Sequence, residues 1–272
     1  MHIACSTTAG YKQDLPTALR SIREHGFTSV DLLAIDRWAH IDPGDLADQG
    51  ETGETRIAEM LDRYQLSATA LNIGTRSDLH DRSAEAIADR RREMSAMVGL
   101  MQRLAIPVAV LQPRGRDAMR PQAEVLRDCA ATWRELRAIA DQGGVALALE
   151  LHIFSPVEML DQARALIELV PELQVVYDPS HLVMQGVPIR ETEWLLDRSI
   201  HVHLRDAAYG HMQTRLGQGA VDFEWLFHAL RQRDYTGPVS IEYLQDDHYD
   251  VFEDVCRLKA MAEQALMRGS GI

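Results

Sequence analysis

The sequence predicts a single (β/α)8 barrel over residues 1–272, and three observations predict it. Short apolar runs alternate eight times with longer stretches at helical spacing. Runs such as Val145-Ala-Leu-Ala-Leu149 are apolar on both faces, as helix-covered parallel strands are. Every connection between runs is long enough for a crossover helix. The length of 272 residues suits one such barrel, which typically takes about 250. A doubly wound sheet has no equally economical use for the eighth unit, and no Pro/Gly/Ser-rich linker divides the chain.

The strands are read at 2–7, 29–34, 67–73, 108–113, 145–151, 173–178, 200–206 and 238–243. The first helix, 15–25, puts Leu15, Leu19 and Ile22 on one face and stops at Gly26. The second, 55–64, carries Ile57, Met60, Leu61 and Tyr64. The third runs from about 83 to 104 and ends before Pro107. In the fourth, Leu126, Cys129, Trp133, Leu136 and Ala140 recur at three- and four-residue steps, up to Gly143-Gly144. The fifth is placed near Pro156 with Ser155 as its cap, and 191–196 is a short sixth. Asp222 caps a seventh at 223–232, and 250–267 closes the set. The long connections 35–53, 74–82 and 207–221 all follow strands, so they are expected on the C-terminal rim, where barrel chemistry sits.

Composition narrows the function. Asp plus Glu number 41 against 28 Lys plus Arg, a net charge of −13. A duplex binder needs a concentrated positive footprint, so no nucleic-acid partner is expected. The one dense basic run, Arg90-Arg91-Arg92, falls in a helical pattern and reads as a solvated face. The three cysteines, Cys5, Cys129 and Cys256, are far apart and form no CxxC pair, which speaks against a disulfide scaffold or thiolate zinc site. No apolar run approaches a membrane span, and the first residues lack a basic and then apolar leader. A cytoplasmic protein without a membrane partner is the expectation. The apolar helix faces are already needed to cover the barrel, so a homo-oligomer is left open. No GxxxxGK[ST], HExxH or GxSxG motif occurs, and Gly217-Gln-Gly219 lacks the third glycine of a dinucleotide fingerprint.

The most informative pattern is where polar residues fall. Strand five ends in Glu150-Leu-His152 and strand six in Asp178-Pro-Ser-His181. Strand seven reads His201-Val-His203-Leu-Arg205-Asp206, and strand eight reaches Glu242. Four consecutive strands thus deliver Glu150, Asp178, His203 and Glu242 to one rim. Carboxylates plus one imidazole suit one hard or borderline divalent ion: Mn2+ first, with Mg2+, Co2+, Fe2+ or Zn2+ as alternatives. Without a cation, three converging carboxylates would repel one another. His201 shares strand parity with His203, but His203 lies nearer the C-terminal end and is favoured. Asp178-Pro179 can form a turn and present a ligand at once.

Other rim residues form the candidate substrate shell. His152 shares parity with Glu150. Asn72, Gln112 and Arg114 end strands three and four, and Arg114 and Arg205 suit an anionic or hydroxylated ligand. Trp38, Tyr11 and Tyr209 are candidates for apolar cover over a bound molecule.

At these residues the sequence resembles the xylose isomerase-like TIM barrel superfamily, the sugar isomerase/epimerase and endonuclease IV-like group. The resemblance is carried by LELH at 149–152, DPSH at 178–181, HVHLRD at 201–206, Leu216-Gly-Gln-Gly-Ala-Val-Asp222 and Tyr235-Thr-Gly-Pro-Val-Ser-Ile-Glu242. It implies one divalent ion held by Glu150, Asp178, His203 and Glu242, with His181 facing substrate oxygens. It also implies Glu150 and Glu242 as the catalytic pair that exchanges protons on opposite faces of one carbon. The implied substrate is a small polyhydroxy carbonyl compound, a free ketose or keto-inositol, reacting through a metal-stabilised enediolate. Reprotonation on the opposite face gives epimerisation, and at the neighbouring carbon isomerisation. Loss of a β-hydroxyl gives dehydration of the 3-dehydroshikimate or inosose type. A non-catalytic metal- and sugar-binding barrel is the alternative from another class. The nuclease branch fits less well, because its extra histidines on strands three and four are replaced by Asn72 and Gln112. His211, in the loop after strand seven, has no assigned role.

Overall fold

The computed structural model describes residues 3–267. Eight parallel strands form the barrel: β1 (Ile3–Ser6), β2 (Ser29–Ile35), β3 (Ser67–Gly74), β4 (Val108–Leu111), β5 (Ala146–Glu150), β6 (Val175–Tyr177), β7 (Ser199–Leu204) and β8 (Val239–Ile241). Each pairs with the next, and β8 returns to β1 through Ile3↔Val239 and Cys5↔Ile241, so the sheet is closed. Closure removes the exposed edges of an open sheet. A two-residue antiparallel addition, Ala39–His40, folds back on the end of β2. All eight expected strands are present, the terminal His2 of the first lying outside the described residues.

Side-chain alternation divides each strand between two environments. Val30, Leu32, Leu71, Ile73, Leu147, Leu149, Val202 and Leu204 face outward into the main apolar cluster with the helices. Facing inward, Ala70, Val108, Val110, Ala148 and Val176 form a small separate cluster. The same inward parity holds Asp31, Asn72, Glu150, His201 and His203, all buried. The barrel therefore has a thin apolar plug and a polar interior toward its C-terminal end.

The helices follow their signals closely. Asp14 caps α1 (Leu15–Glu24) by accepting from Thr17 N at 2.9 Å, and Gly26, at φ +78°, ends that turn. Ser83 caps α4 (Ala84–Leu104), and α5 (Gln122–Gln142) stops at Gly143. Asp222 caps α8 (Phe223–Gln232), accepting from Trp225 N at 2.9 Å, and α9 (Val251–Met267) completes the coat.

Five local expectations are corrected. The 35–53 connection contains α2 (Pro43–Gln49), started by Asp42, which accepts from Asp45 N at 3.0 Å, and by Pro43 in the first turn. The next helix, α3 (Glu51–Tyr64), begins four residues earlier than read. The fifth expected helix, α6 (Leu160–Leu169), starts later because Ser155 is committed elsewhere. Its hydroxyl donates to His152 O at 2.6 Å and accepts from Val157 N, closing a turn within the loop. The short helix near 191–196 is a 3-10 segment, Ile189–Arg198. Finally, Arg90 is buried and donates to the carbonyls of Asp78 and Asp81, so only Arg91 and Arg92 belong to a solvated face. The cysteines are free, as expected, and among the described residues no helix is long and apolar enough to cross a membrane.

Candidate metal centre

The ends of β5 to β8 build the floor of a rim cavity. Glu150 is the last residue of β5, and Asp178 directly follows β6. His203 lies on β7, and Glu242 directly follows β8. One donor atom from each lies within 4.8 Å of the others, and all four residues are buried. His203 Nδ1 stands 3.0 Å from Glu150 Oε1 and 3.1 Å from Glu242 Oε2. Asp178 divides its carboxylate between two tasks. Its Oδ1 accepts from Ser180 N at 2.8 Å and caps the one-turn helix α7 (Pro179–Val183); its Oδ2 faces Arg205 and His181.

A second ring of buried groups holds these atoms in place. Asn72 donates to Glu242 Oε1 at 3.1 Å. Arg205 donates to Asp178 Oδ2 at 3.1 Å, to Ser180 Oγ at 2.8 Å and to the Glu242 carbonyl at 3.1 Å. Its guanidinium lines the cavity, but most of its donors are committed to the floor. Asp31 is the residue that sequence reasoning passed over. Its Oδ2 lies 3.1 Å from His203 Nε2 and 3.0 Å from His201 Nε2. A carboxylate on the far ring nitrogen fixes the tautomer and aim of a ligating histidine. The signal was available: an aspartate inside Ser-Val-Asp-Leu-Leu-Ala-Ile, a strand otherwise buried along its whole length.

The electrostatics suit a cation. Burial pushes His203 down, but the charge of Glu242 and the hydrogen bonds that His203 donates to Asp31, Glu150 and Glu242 override it and hold the imidazole well above the usual histidine range. Burial raises Glu150, yet the hydrogen bond and charge of His203 bring it down to about 2. Burial is the largest influence on Glu242 and keeps it above the usual carboxylate range, against the pull of His203. A proton on His203 therefore compensates the carboxylates around it, and Glu150 Oε2 is buried with no hydrogen-bond partner. The donor set fits a divalent ion that replaces that proton.

The cavity above holds about 280 Å3 and is lined by Gln112, Arg114, His152, His181, Trp38 and Met212, among others. Arg114 adopts φ +63° and sits 3.8 Å from Asp36 Oδ2. His152 and His181 rings lie 4.2 Å apart. Trp38 is backed by Tyr11, with ring centroids 5.1 Å apart. Tyr209 lies instead at the exposed tip of a tight turn closed between Ala208 and His211, so it and His211 stand apart from the floor. A larger hollow, about 340 Å3, opens outside the barrel between α1, α2 and α3. Among the described residues it meets no converging ligand set.

One carboxylate fastens the 207–221 loop beside the cavity. Asp206 accepts from the backbone N–H groups of Ala207, Gly217, Gly219 and Val221 at 2.8–3.3 Å. This explains the glycines of the 216–222 segment. Gly217 has φ +86°, and a Cβ on Gly219 would lie 2.0 Å from Asp206 Oδ1.

Comparison with known proteins agrees with this architecture. The chain is 26% identical over 171 residues to an inosose isomerase of Halalkalibacterium halodurans, a match covering 58% of this chain and 61% of that one. It is 23% identical over 251 residues to an inosose isomerase of Bacillus velezensis, covering 88% and 85%. Its fold superposes on a D-tagatose 3-epimerase-like protein with a TM-score of 0.78 at 19% identity, over 99% of this chain and 100% of the other. The model of the xylose isomerase-like TIM barrel family matches residues 19–266, and the chain belongs to that family.

Proposed function

We propose that the protein is a divalent-metal-dependent isomerase or epimerase of a small polyhydroxy carbonyl compound, a free ketose or keto-inositol. The observation that carries this reading is the convergence of Glu150, Asp178, His203 and Glu242, from four successive strand ends, beneath one small cavity. These four residues would hold the ion, with Mn2+ the first candidate. When bound, it supplies Lewis-acid stabilisation of the negative charge that develops on substrate oxygen. The inosose isomerase relatives support a cyclic polyol ketone as the first substrate to try.

The side chains supply the proton chemistry. Breaking the C–H bond next to the carbonyl sends its electron pair toward the carbonyl oxygen and its proton to a carboxylate. Burial favours a proton on Glu242, which makes it the readier of the two to carry one. A proton returned by the other carboxyl on the opposite face inverts the carbon; returned to the neighbouring carbon, with the hydroxyl proton passing to the former carbonyl oxygen, it moves the carbonyl. His181, His152, Gln112 and Arg114 line the space where substrate hydroxyls would be held. Arg205 and Asn72 keep Asp178 and Glu242 aimed.

The test is proton NMR in D2O with Mn2+-loaded protein and a panel of ketoses, inososes and 3-dehydroshikimate. Metal-dependent deuterium incorporation is expected, with Glu242→Gln slowing it by about 10²–10⁴-fold. Product identity separates epimerisation, isomerisation and dehydration. Full metal occupancy without exchange into any of these carbonyl compounds would overturn the enolisation reading.

A further inference from the structure

Most polar side chains around the cavity are already engaged, and one wall is not. Arg205 is held by Asp178, Ser180 and the Glu242 carbonyl, and His152 Nδ1 lies 2.7 Å from the Ile153 carbonyl oxygen. Gln112 and Arg114, two residues apart just past β4, also line the cavity. Both are half-buried, yet among the described residues neither side chain makes a hydrogen bond. In the closed sheet β4 stands opposite β8, so this wall of free donors faces the side from which Glu242 comes.

Arg114 is also short of a counter-charge. Its one ion-pair partner among the described residues is Asp36, buried directly after β2 and 3.8 Å away, beyond hydrogen-bond length. Arg76 shares that carboxylate at 3.5 Å. The next carboxyl, Glu93, accepts from Arg76 N at 3.1 Å and is pushed up by burial, toward its neutral form. Two guanidiniums thus share one buried carboxylate. Arg114 holds its place with φ +63°, a left-handed conformation that is costly for a residue with a Cβ and that collects at functional sites.

We propose that Arg114 and Gln112 form a carboxylate subsite, so that the polyhydroxy carbonyl compound taken by this cavity carries a carboxylate at the end remote from the ion. The inference rests on the proposed function and narrows its substrate class. A planar guanidinium meets both oxygens of a carboxylate with two parallel N–H groups, and the Gln112 amide adds a further donor. A phosphate, with more charge and more oxygens, is commonly gathered by several N–H groups at a helix N-terminus. Here α5 begins only at Gln122, and the wall offers one guanidinium and one amide. The floor makes such a partner necessary. Asp31, Glu150, Asp178 and Glu242 outweigh Arg205, and with neutral histidines they leave a net negative centre even beside a divalent ion. An anionic substrate therefore needs a positive group away from that floor, and Arg114 supplies it.

The test uses three ketoses that differ only at carbon 6: D-fructose, D-fructuronate, which ends in a carboxylate, and D-fructose 6-phosphate. Calorimetry on the Mn2+-loaded full chain gives their dissociation constants, and proton NMR in D2O follows exchange. Fructuronate is expected to bind about 10–100-fold more tightly than fructose, with part of that preference lost at high salt. Arg114→Gln is expected to bring the ratio of the two affinities near one. Arg114→Lys, which keeps the charge but not the planar fork, is expected to give an intermediate ratio. Bound Mn2+ per chain shows that each variant is folded. Equal affinity for fructose and fructuronate, or binding of neither, overturns the subsite, as does a ratio undiminished in Arg114→Gln. Tighter binding of fructose 6-phosphate overturns the choice of a carboxylate. Preferred binding of fructuronate without deuterium exchange into any of the three upholds the subsite and overturns the enolisation reading instead.

Discussion

Strands β5–β8 lead into Glu150, Asp178, His203 and Glu242, whereas the comparable inward positions of β1–β4 hold Ser6, Asp31, Asn72 and Gln112. The second half of the barrel carries the candidate ligands. The first half carries groups that reach across the interior to the atoms those ligands leave over. Asp31 meets the far nitrogen of His203, and Asn72 meets the second oxygen of Glu242. In each contact the partners are about 170 residues apart in the chain. Closure of the sheet brings them together, so the two halves cooperate only once the barrel is complete.

This division can be broken in graded steps. The largest effect is expected from the ligand half, where Glu242→Gln removes a carboxyl proposed to transfer the proton, as in the exchange test above. Next comes Asp31→Asn in the supporting half. It removes a charge from His203 Nε2 while keeping the side chain's size, and Mn2+ affinity is expected to fall about 10–100-fold. Titration of stripped protein with Mn2+ measures it, and a loss under threefold would show that the halves are not coupled. Asn72→Leu is milder. It removes one donor to Glu242, and a loss of about 1 kcal/mol, roughly fivefold in kcat, is expected with Mn2+ affinity nearly unchanged. Steady-state kinetics beside the same titration separates the two.

The smallest step avoids the centre. Asp222→Ala deletes the cap of α8 and is expected to cost about 1 kcal/mol of stability without changing Mn2+ binding. The backbone hydrogen bond from Trp225 and the neighbouring Arg190 hold Asp222 below the usual carboxylate range. Its folded-state pKa is thus lower than its unfolded one. The stabilisation is complete above the ordinary carboxylate pKa and is lost as pH falls through the lowered value. Urea unfolding should therefore show a gap between wild type and variant at pH 7 that narrows in acid. A gap that widened in acid would contradict the cap assignment.

How much of this could be read from the chain follows from the range of each interaction. The strands and most helix ends were legible because they depend on neighbours: short apolar runs, Asp222 before its helix, Gly26 and Gly143-Gly144 after theirs. The four candidate ligands were legible because each ends a strand, and strand ends share one rim. Asp31 was not, because its meaning depends on His201 and His203 at the far end of the sequence. Ser155 misled because a serine before a proline has two local partners, and here its hydroxyl chose the carbonyl of His152. Arg90 looked solvated because its partners are backbone carbonyls, which carry no mark in the residue sequence.

The fastening of the 207–221 loop by Asp206 has a consequence for how such a barrel diversifies. The Asp206 attachment uses backbone N–H groups and asks only for the space that Gly217 and Gly219 provide, while the side chains of Gln213 and Arg215 tie the same stem to Leu244 and to Glu253 and Asp254. Between the anchors, positions such as Tyr209, His211 and Met212 can be exchanged while the stem keeps its shape. Met212 already borders the cavity. The tip of this loop is therefore the part of the rim that can vary most freely while the floor beneath keeps its shape.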